Sequence, residues 1–253
     1  MKRILLIPGH TAKDNFAKTT GVYEGELNIE IVKNIATHLT GYAAVTIYPI
    51  ERDYYKDLKA HRISEAYHFR NYEYVWEQHL NEFDGSARGA SCQIHKNYRG
   101  GISVEKLICC NLEKLGFRLR GTNGIVRRAD LLNMNTALAL GVDYCLCEPF
   151  FCDNPKDLAL YRKDPDALAK AIADGMIDGF GLKKNAGSAI GTVAHCYWLN
   201  VREKPNGKVA FVISAGDTVI RKGSAFDSDG DSWDLVETAH GTGYVWPKYI
   251  RYN

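Results

Sequence analysis

The spacing of apolar positions changes character along the chain, and that change organises everything else. Ile4–Ile7 is a short unbroken apolar run and reads as a buried strand. Leu27, Ile31, Ile35 and Leu39 then recur every fourth residue, with Val32 and Ala36 beside them, which predicts one face of an amphipathic helix. Ala43–Ile50 alternates as a strand, Ile63–Arg70 reads as a short helix, and Tyr72–His79 and Ala90–His95 read as strands. Val104, Leu107, Ile108, Leu112 and Leu115 form a stripe over a helix at 103–116 that Gly116 ends. A buried strand over Asp143–Glu148 and helices over Asn154–Arg162 and Pro165–Phe180 follow, the last opening with proline in its first turn. Strands and helices in alternation predict an α/β domain over residues 1–180, with a central mostly parallel or mixed sheet flanked by helices.

Beyond Phe180 the texture changes. Gly181-Leu182-Lys183-Lys184-Asn185-Ala186-Gly187-Ser188 has linker composition, and 181–193 is expected to be linker. Short β-prone runs at Tyr197–Val201, Val209–Ile213, Thr218–Arg221, Trp233–Glu237 and Tyr244–Trp246 are separated by Gly216-Asp217, Asp229-Gly230 and Gly241-Thr242-Gly243. They predict a small all-β barrel over 194–253, near the size limit for a self-sufficient core.

Composition removes several classes of function. The 253 residues carry a net charge of +2, which gives no support to nucleic-acid binding. No apolar run approaches the ~20 residues a membrane-spanning helix needs. Seven cysteines are an odd count in a chain that is not Cys-dense, so a disulfide framework is not expected. Cys145 and Cys147 share one face of their strand and read as small buried hydrophobes. The apolar run after Met1-Lys2-Arg3 is too short for a signal peptide and no small-residue cleavage site follows, so the protein is expected to be made and kept in the cytoplasm.

Active sites on open α/β sheets gather at the C-terminal ends of strands. His10 ends the first strand, Glu24 lies in the loop before the long helix, His79 ends the Tyr72–His79 strand and Glu148 ends the Asp143–Glu148 strand. Two imidazoles and a carboxylate form a known ligand set for catalytic zinc, and a further carboxylate can move a proton between water and a leaving amine. Taken alone, the residues stop at a candidate His/Glu metal site: His61, His68 and His95 compete with His79, and Glu26 with Glu24.

Ile4-Leu5-Leu6-Ile7-Pro8-Gly9-His10, followed by Gly21-Val22-Tyr23-Glu24-Gly25-Glu26-Leu27-Asn28, resembles the opening of the zinc-dependent N-acetylmuramoyl-L-alanine amidases of the Amidase_3 type. His79-Leu80-Asn81 resembles that family's His-x-Asn motif, and Glu148-Pro149-Phe150-Phe151, with Asn154 and Asp157 beyond it, resembles its last motif. The resemblance implies zinc held by His10, Glu24 and His79, with Glu148 as the catalytic residue. The chain departs from the pattern at Ile7, where the family usually has Asp, at Thr11, where it has Gly, and at Glu77, where it has Ser. Glu77 is expected on the same strand face as His79, either orienting it or solvated. Arg118, Arg120, Arg127 and Arg128 are expected to face water rather than to contact an anionic muropeptide.

Tyr197-Trp198-Leu199-Asn200-Val201-Arg202, with Trp233-Asp234-Leu235-Val236 and Gly243-Tyr244-Val245-Trp246-Pro247, resembles a bacterial SH3 (SH3b) domain of the kind that binds cell walls. Trp198, Trp233, Tyr244 and Trp246 are the candidate wall-contacting residues, a mixture of core and groove. The whole resembles a phage or prophage endolysin acting on bacterial peptidoglycan. It is expected to wait in the host cytoplasm until lysis and then to cut between N-acetylmuramic acid and L-alanine, with a monomer favoured and no membrane insertion. The alternatives are a zinc peptidase cutting another bond of the wall peptide, and a wall-binding protein without catalysis.

Overall fold

The computed structural model describes residues 1–184 and 189–252, with only the backbone of Ser224. Residues 185–188 of the expected linker lie outside the described residues. The chain divides into two compact units, Met1–Leu39 with Val45–Lys183, and Thr40–Ala44 with Lys184–Asn253.

The first unit runs β1 (Lys2–Pro8), the short pair β2 (Phe16–Ala17) and β3 (Val22–Tyr23), α1 (Glu24–His38), β4 (Ala43–Ile47), α2 (Tyr54–Lys59), β5 (Tyr74–Gln78), β6 (Ser91–His95), α3 (Ser103–Lys114), β7 (Ile125–Arg128), α4 (Leu132–Leu140), β8 (Asp143–Glu148), α5 (Pro155–Lys163) and α6 (Pro165–Phe180). The central sheet has the order β4-β1-β5-β8-β6-β7. β1, β5 and β8 are mutually parallel neighbours, β6 runs antiparallel to β8, and β7 runs parallel to β6, so the sheet is mixed.

Alternation along the strands assigns the two faces. Leu5, Ile7, Val75, Tyr144 and Leu146 join one cluster with Tyr54 of α2 and with Met134 and Ala137 of α4. The opposite face carries Tyr74, whose hydroxyl donates to Glu105 of α3 at 2.8 Å and whose ring meets Phe180 of α6 edge-on. Helices thus cover both faces, and α6 also packs on α1 and α3. Cys92, Cys145 and Cys147 are buried free thiols, and burial pushes the Cys145 thiol up to about 12.

Two helices lie where the sequence pattern predicts nothing. α2 is capped by Asp53, whose carboxylate accepts from the Lys56 amide at 2.9 Å. α4 has Leu131 at its N-cap and no side-chain cap, so it begins without a polar signal, and Gly141 in left-handed backbone ends it. The expected helix at 63–70 is instead two single 3₁₀ turns at Glu65–Tyr67 and Phe69–Asn71.

The second unit runs β9 (Ile190–Val193), β10 (Trp198–Arg202), β11 (Val209–Ser214), β12 (Thr218–Phe226), β13 (Ser232–Thr238), β14 (Gly241–Val245) and β15 (Ile250–Tyr252). β9 lies inside the segment expected to be linker and pairs antiparallel with both β12 and β15. The sheet is antiparallel in the order β11-β10-β14-β13-β12-β9-β15. Where a closed barrel was expected, the hydrogen-bonded order among the described residues stays open, with β11 and β15 at its ends. One aliphatic core nevertheless gathers Val193, Val201, Val219, Val236, and Ile213 and Ile250 from the two end strands, so the sheet curls around it.

Candidate metal centre and active site

The parallel strands β1, β5 and β8 end on the same edge of the sheet, and each delivers one residue there: His10 just past β1, His79 just past β5 and Glu148 at the end of β8. The Gly9 amide donates to the Gln78 carbonyl at 2.8 Å and the His79 amide to the Cys147 carbonyl at 2.9 Å, which fixes the three strand ends in register. Gly9 is required by space: a Cβ there would stand 2.4 Å from Cε1 of the His79 ring. His10 itself sits in left-handed backbone, φ 67°, which turns its ring back over the strand ends. The two rings meet edge to face with centroids 4.9 Å apart.

Glu24 arrives from the other direction, in the first turn of α1, where the helix favours an anion. The helix starts at Glu24, earlier than the apolar stripe alone indicates. At Gly25 a Cβ would fall 1.9 Å from the Thr11 carbonyl oxygen, so glycine lets the helix start pass under the His10 loop. Glu24 is 1% exposed and fully engaged. Its Oε1 accepts from the Leu80 amide at 2.8 Å and from Asn28 Nδ2 at 3.1 Å, and Asn15 Nδ2 donates to its Oε2. His79 Nδ1 lies 3.0 Å from Oε1, and His10 Nε2 lies 3.4 Å from Oε2. Burial opposes the charged form of Glu24, but hydrogen bonds and charge from His10 and His79 outweigh it and hold the carboxyl well below its usual range.

The ligand atoms of His10, Glu24 and His79 all lie within 4.8 Å of one another. Metal–ligand bonds of ~2.0–2.1 Å at tetrahedral angles put ligand atoms about 3.4 Å apart, so this donor set fits a zinc ion. Without a metal, the same set holds a proton. Burial works against the His79 imidazolium, yet hydrogen bonds and charge from Glu24 and Glu77 raise its pKa to about 10.

Glu148 is separate from this cluster. Its Oε2 accepts from Asn81 Nδ2 at 2.7 Å. Asn81 is itself fixed by its amide donating to the Phe150 carbonyl, and its carbonyl accepting from the Cys152 amide, both at 2.9 Å. Burial and the neighbouring Glu24 charge raise the Glu148 pKa against the opposing pull of His79. Glu148, His10, His79 and Glu77 together line a cavity of about 360 Å³, whose wall includes Tyr54 and Tyr55 of α2, Leu131 and Leu132, and Arg128.

The remaining candidates are placed as follows. Glu26 is on the surface, paired with Lys13. His61 is exposed in a turn, His68 pairs with Glu65 at 3.8 Å, and His95 Nδ1 accepts from the Asn97 amide, so none joins His10 and Glu24. Glu77 is buried rather than solvated and faces the His79 ring. Arg118, Arg120 and Arg127 are exposed, but Arg128 is half-buried in the cavity wall, donating to Gln93 Oε1 at 2.9 Å and Asp130 Oδ1 at 2.7 Å. Asn154 and Asp157 are structural: Asn154 caps α5, and Asp157 accepts from the Gly89 amide at 2.9 Å and Arg88 Nε at 2.7 Å. In the second unit Trp233 is buried, Tyr244 and Trp246 are half-buried, and Trp198 is 75% exposed.

A second acidic cluster, His10 with Asp14 and Asp53, shares a histidine with the first. Lys56 Nζ already stands 3.1 Å from Asp14 and 3.5 Å from Asp53, so that cluster has its cation.

Residues that sequence reasoning passed over include Asn28, Asn133 and Tyr144. Asn28 has a readable signal, since it is a polar residue one turn from Glu24 on the buried side of an amphipathic helix. Asn133 has none, because the helix that carries it has no polar start.

Residues 4–178 match the family model described as N-acetylmuramoyl-L-alanine amidase. The chain belongs to that family. Its members are generally zinc-dependent, in keeping with the donor set found here. A protein described as a probable autolysin of Staphylococcus aureus is 27% identical over 198 residues, covering 70% of this chain, which spans 38% of that relative's length. Among solved structures, the catalytic domain of an endolysin targeting Clostridia Difficile superposes with a TM-score of 0.57 at 22% identity, covering 70% of this chain and 98% of that one. An N-acetylmuramoyl-L-alanine amidase from Clostridium difficile 630 superposes with a TM-score of 0.58 at 20% identity, covering 71% and 97%. At these identities the amidase structures establish the fold of the α/β unit.

Proposed function

We propose that this family member is a zinc-dependent peptidoglycan hydrolase that cleaves the amide between the lactyl group of N-acetylmuramic acid and L-alanine. The observation that carries the reading is the convergence of His10, Glu24 and His79 at the strand ends, beside a cavity that the two histidines line together with a separately held Glu148. His10 through Nε2, His79 through Nδ1 and the Glu24 carboxylate would hold the ion. When bound, zinc supplies a Lewis acid for the scissile carbonyl and makes hydroxide available near neutral pH. Glu148 takes the proton of the attacking water as the oxygen adds to the carbonyl carbon. It then returns that proton to the L-alanine nitrogen as the C–N bond breaks. A carboxyl with a raised pKa suits both halves of that exchange. Asn81 keeps Glu148 aimed, and the closed helix start around Glu24 keeps the ligand set rigid.

The second unit is read as an SH3b-like wall-binding module. Supporting this are the sequence resemblance, the small curled sheet, and a groove of about 330 Å³ lined by Trp198, Asn200, Trp246 and Tyr249 with Arg202 and Lys248. A tethered wall-binding unit raises the local concentration of substrate. The sequence resemblance to endolysins extends the proposal to a role in host lysis, with the protein acting from the cytoplasm on the wall.

Product analysis of digested peptidoglycan tests the reaction. Free peptides beginning with L-alanine, without new reducing ends, are the expected outcome. Shortened peptides still attached to glycan indicate a peptidase instead.

A further inference from the structure

The far side of the His79 ring is occupied by a carboxylate that the proposed reaction does not use. Glu77 is 4% exposed, and its Oε1 lies 3.1 Å from His79 Nε2. Its Oε2 accepts from Asn133 Nδ2 at 2.8 Å and from the Tyr144 hydroxyl. These donors come from three separate elements: the loop after β5, helix α4 and strand β8. Both ring nitrogens face carboxylates, which only accept, so the metal-free ring carries a proton on each; Nε2 keeps its proton toward Glu77, and Nδ1, on the Glu24 side, is the position that would give up its proton to a metal. Among the described residues the buried Asn133 Oδ1 has no hydrogen-bond partner, and the amide is oriented by its Nδ2 donating to Glu77. Among the described residues His10 has no equivalent carboxylate partner: its Nδ1 stands 3.9 Å from Asp53, beyond hydrogen-bond distance.

We infer that Glu77, braced by Asn133 and Tyr144, is a positioning residue that fixes the orientation and tautomer of His79 as a metal ligand. The inference rests on the metal-site reading above. Ile7, where the related pattern has an acid, is the Cα partner of Glu77 across β1 and β5. The acid in this chain therefore stands one strand over from its usual place, beneath the ring it orients. Partners of this kind raise ligand basicity and remove the entropy of ordering the ring on binding.

The test is zinc affinity, measured on the full chain by competition with a chromophoric chelator. Wild type is compared with Glu77→Gln, Tyr144→Phe and, as a buried-acid control, Glu105→Gln, whose carboxyl meets Tyr74 and no histidine. Glu77→Gln is expected to weaken zinc binding by about 10–100-fold and Tyr144→Phe by a smaller factor, about 2–5-fold. Glu105→Gln is expected to change melting temperature without moving zinc affinity. Zinc binding by Glu77→Gln within about twofold of wild type, well short of the 10–100-fold typical of such partners, overturns the positioning role alone. If Glu77→Gln fails to fold, Tyr144→Phe decides, and unchanged zinc affinity there overturns the inference. Failure of wild type to bind zinc removes the metal reading as well.

Discussion

The two units put their chemistry in opposite places. In the α/β unit the informative residues are buried polar groups: Glu24, Asn28 and Glu77 are each under 5% exposed and hydrogen-bonded to one another's partners. In the β unit the buried core is aliphatic, and the informative residues are exposed aromatics, with Trp198 75% exposed and Tyr197 84%. A buried charge survives only where partners offset its desolvation, so the first arrangement signals a site held rigid for chemistry. An exposed tryptophan is a loss of burial that a contact surface explains. The proposed active site and the proposed contact surface thus leave different traces in one chain.

The largest effect that would sharpen this contrast is in the cavity. Glu148→Ala is expected to cut the rate of peptidoglycan amide cleavage by about 10²–10⁴-fold, the contribution usual for a general base, while zinc binding persists. A steady-state assay with metal analysis checks it, and full activity in the variant would remove Glu148 from the mechanism.

Next is a substitution inside the β unit. Trp233 is 4% exposed, with its indole N–H donating to Asp227 Oδ2 at 3.0 Å and its ring edge-on to Trp246. Trp233→Ala is expected to destabilise that unit by about 3–5 kcal/mol, the usual cost of emptying a large buried site. Calorimetry should show that loss without a matching loss of zinc affinity.

The third effect is pH-dependent. In the metal-free protein the His79 pKa is raised from 6.5 to about 10. Its contribution to stability is therefore full below pH 6.5 and is lost as pH rises through 10. Zinc must displace that proton, so apparent zinc affinity should rise with pH across the same window, by up to about tenfold per unit. Calorimetric titration in buffers of different ionisation enthalpy would detect the released proton, and a flat profile would contradict it.

The smallest effect is at the surface. Trp198→Ala should leave stability within ~0.5 kcal/mol of wild type, as exposed substitutions do. It should weaken sedimentation with purified walls by about tenfold, as loss of an aromatic anchor does. Unchanged wall binding would move the contact surface elsewhere.

The fold of the first unit was legible because β1, β5, β8 and α6 carry strong periodicity and end on recognisable signals such as Pro165 and Gly181. α4 was not, because its apolar and polar residues form no one-sided stripe, with Asn133 buried and Leu140 exposed, and Leu131 caps nothing. With it went Asn133, and with Asn133 the network behind His79. The positions of His10 and Glu148 could be read from strand ends. The choice of His79 over His61, His68 and His95 needed the motif order, since spacing alone does not bring β1 and β5 side by side. β9 was hidden because Ile190–Val193 follows a Gly- and Lys-rich run and is only four residues long. In the β unit, alternation along β10 does separate buried Leu199 and Val201 from outward Trp198 and Asn200, but only once the strand is known to lie over a core.

The measurement that tests the central claim most directly is anomalous diffraction at the zinc edge from crystals grown with zinc. The account predicts a peak bounded by His10 Nε2, the Glu24 carboxylate and His79 Nδ1, with Glu148 outside the ligand set. A peak instead between His10, Asp14 and Asp53, or none at the strand ends, would contradict it.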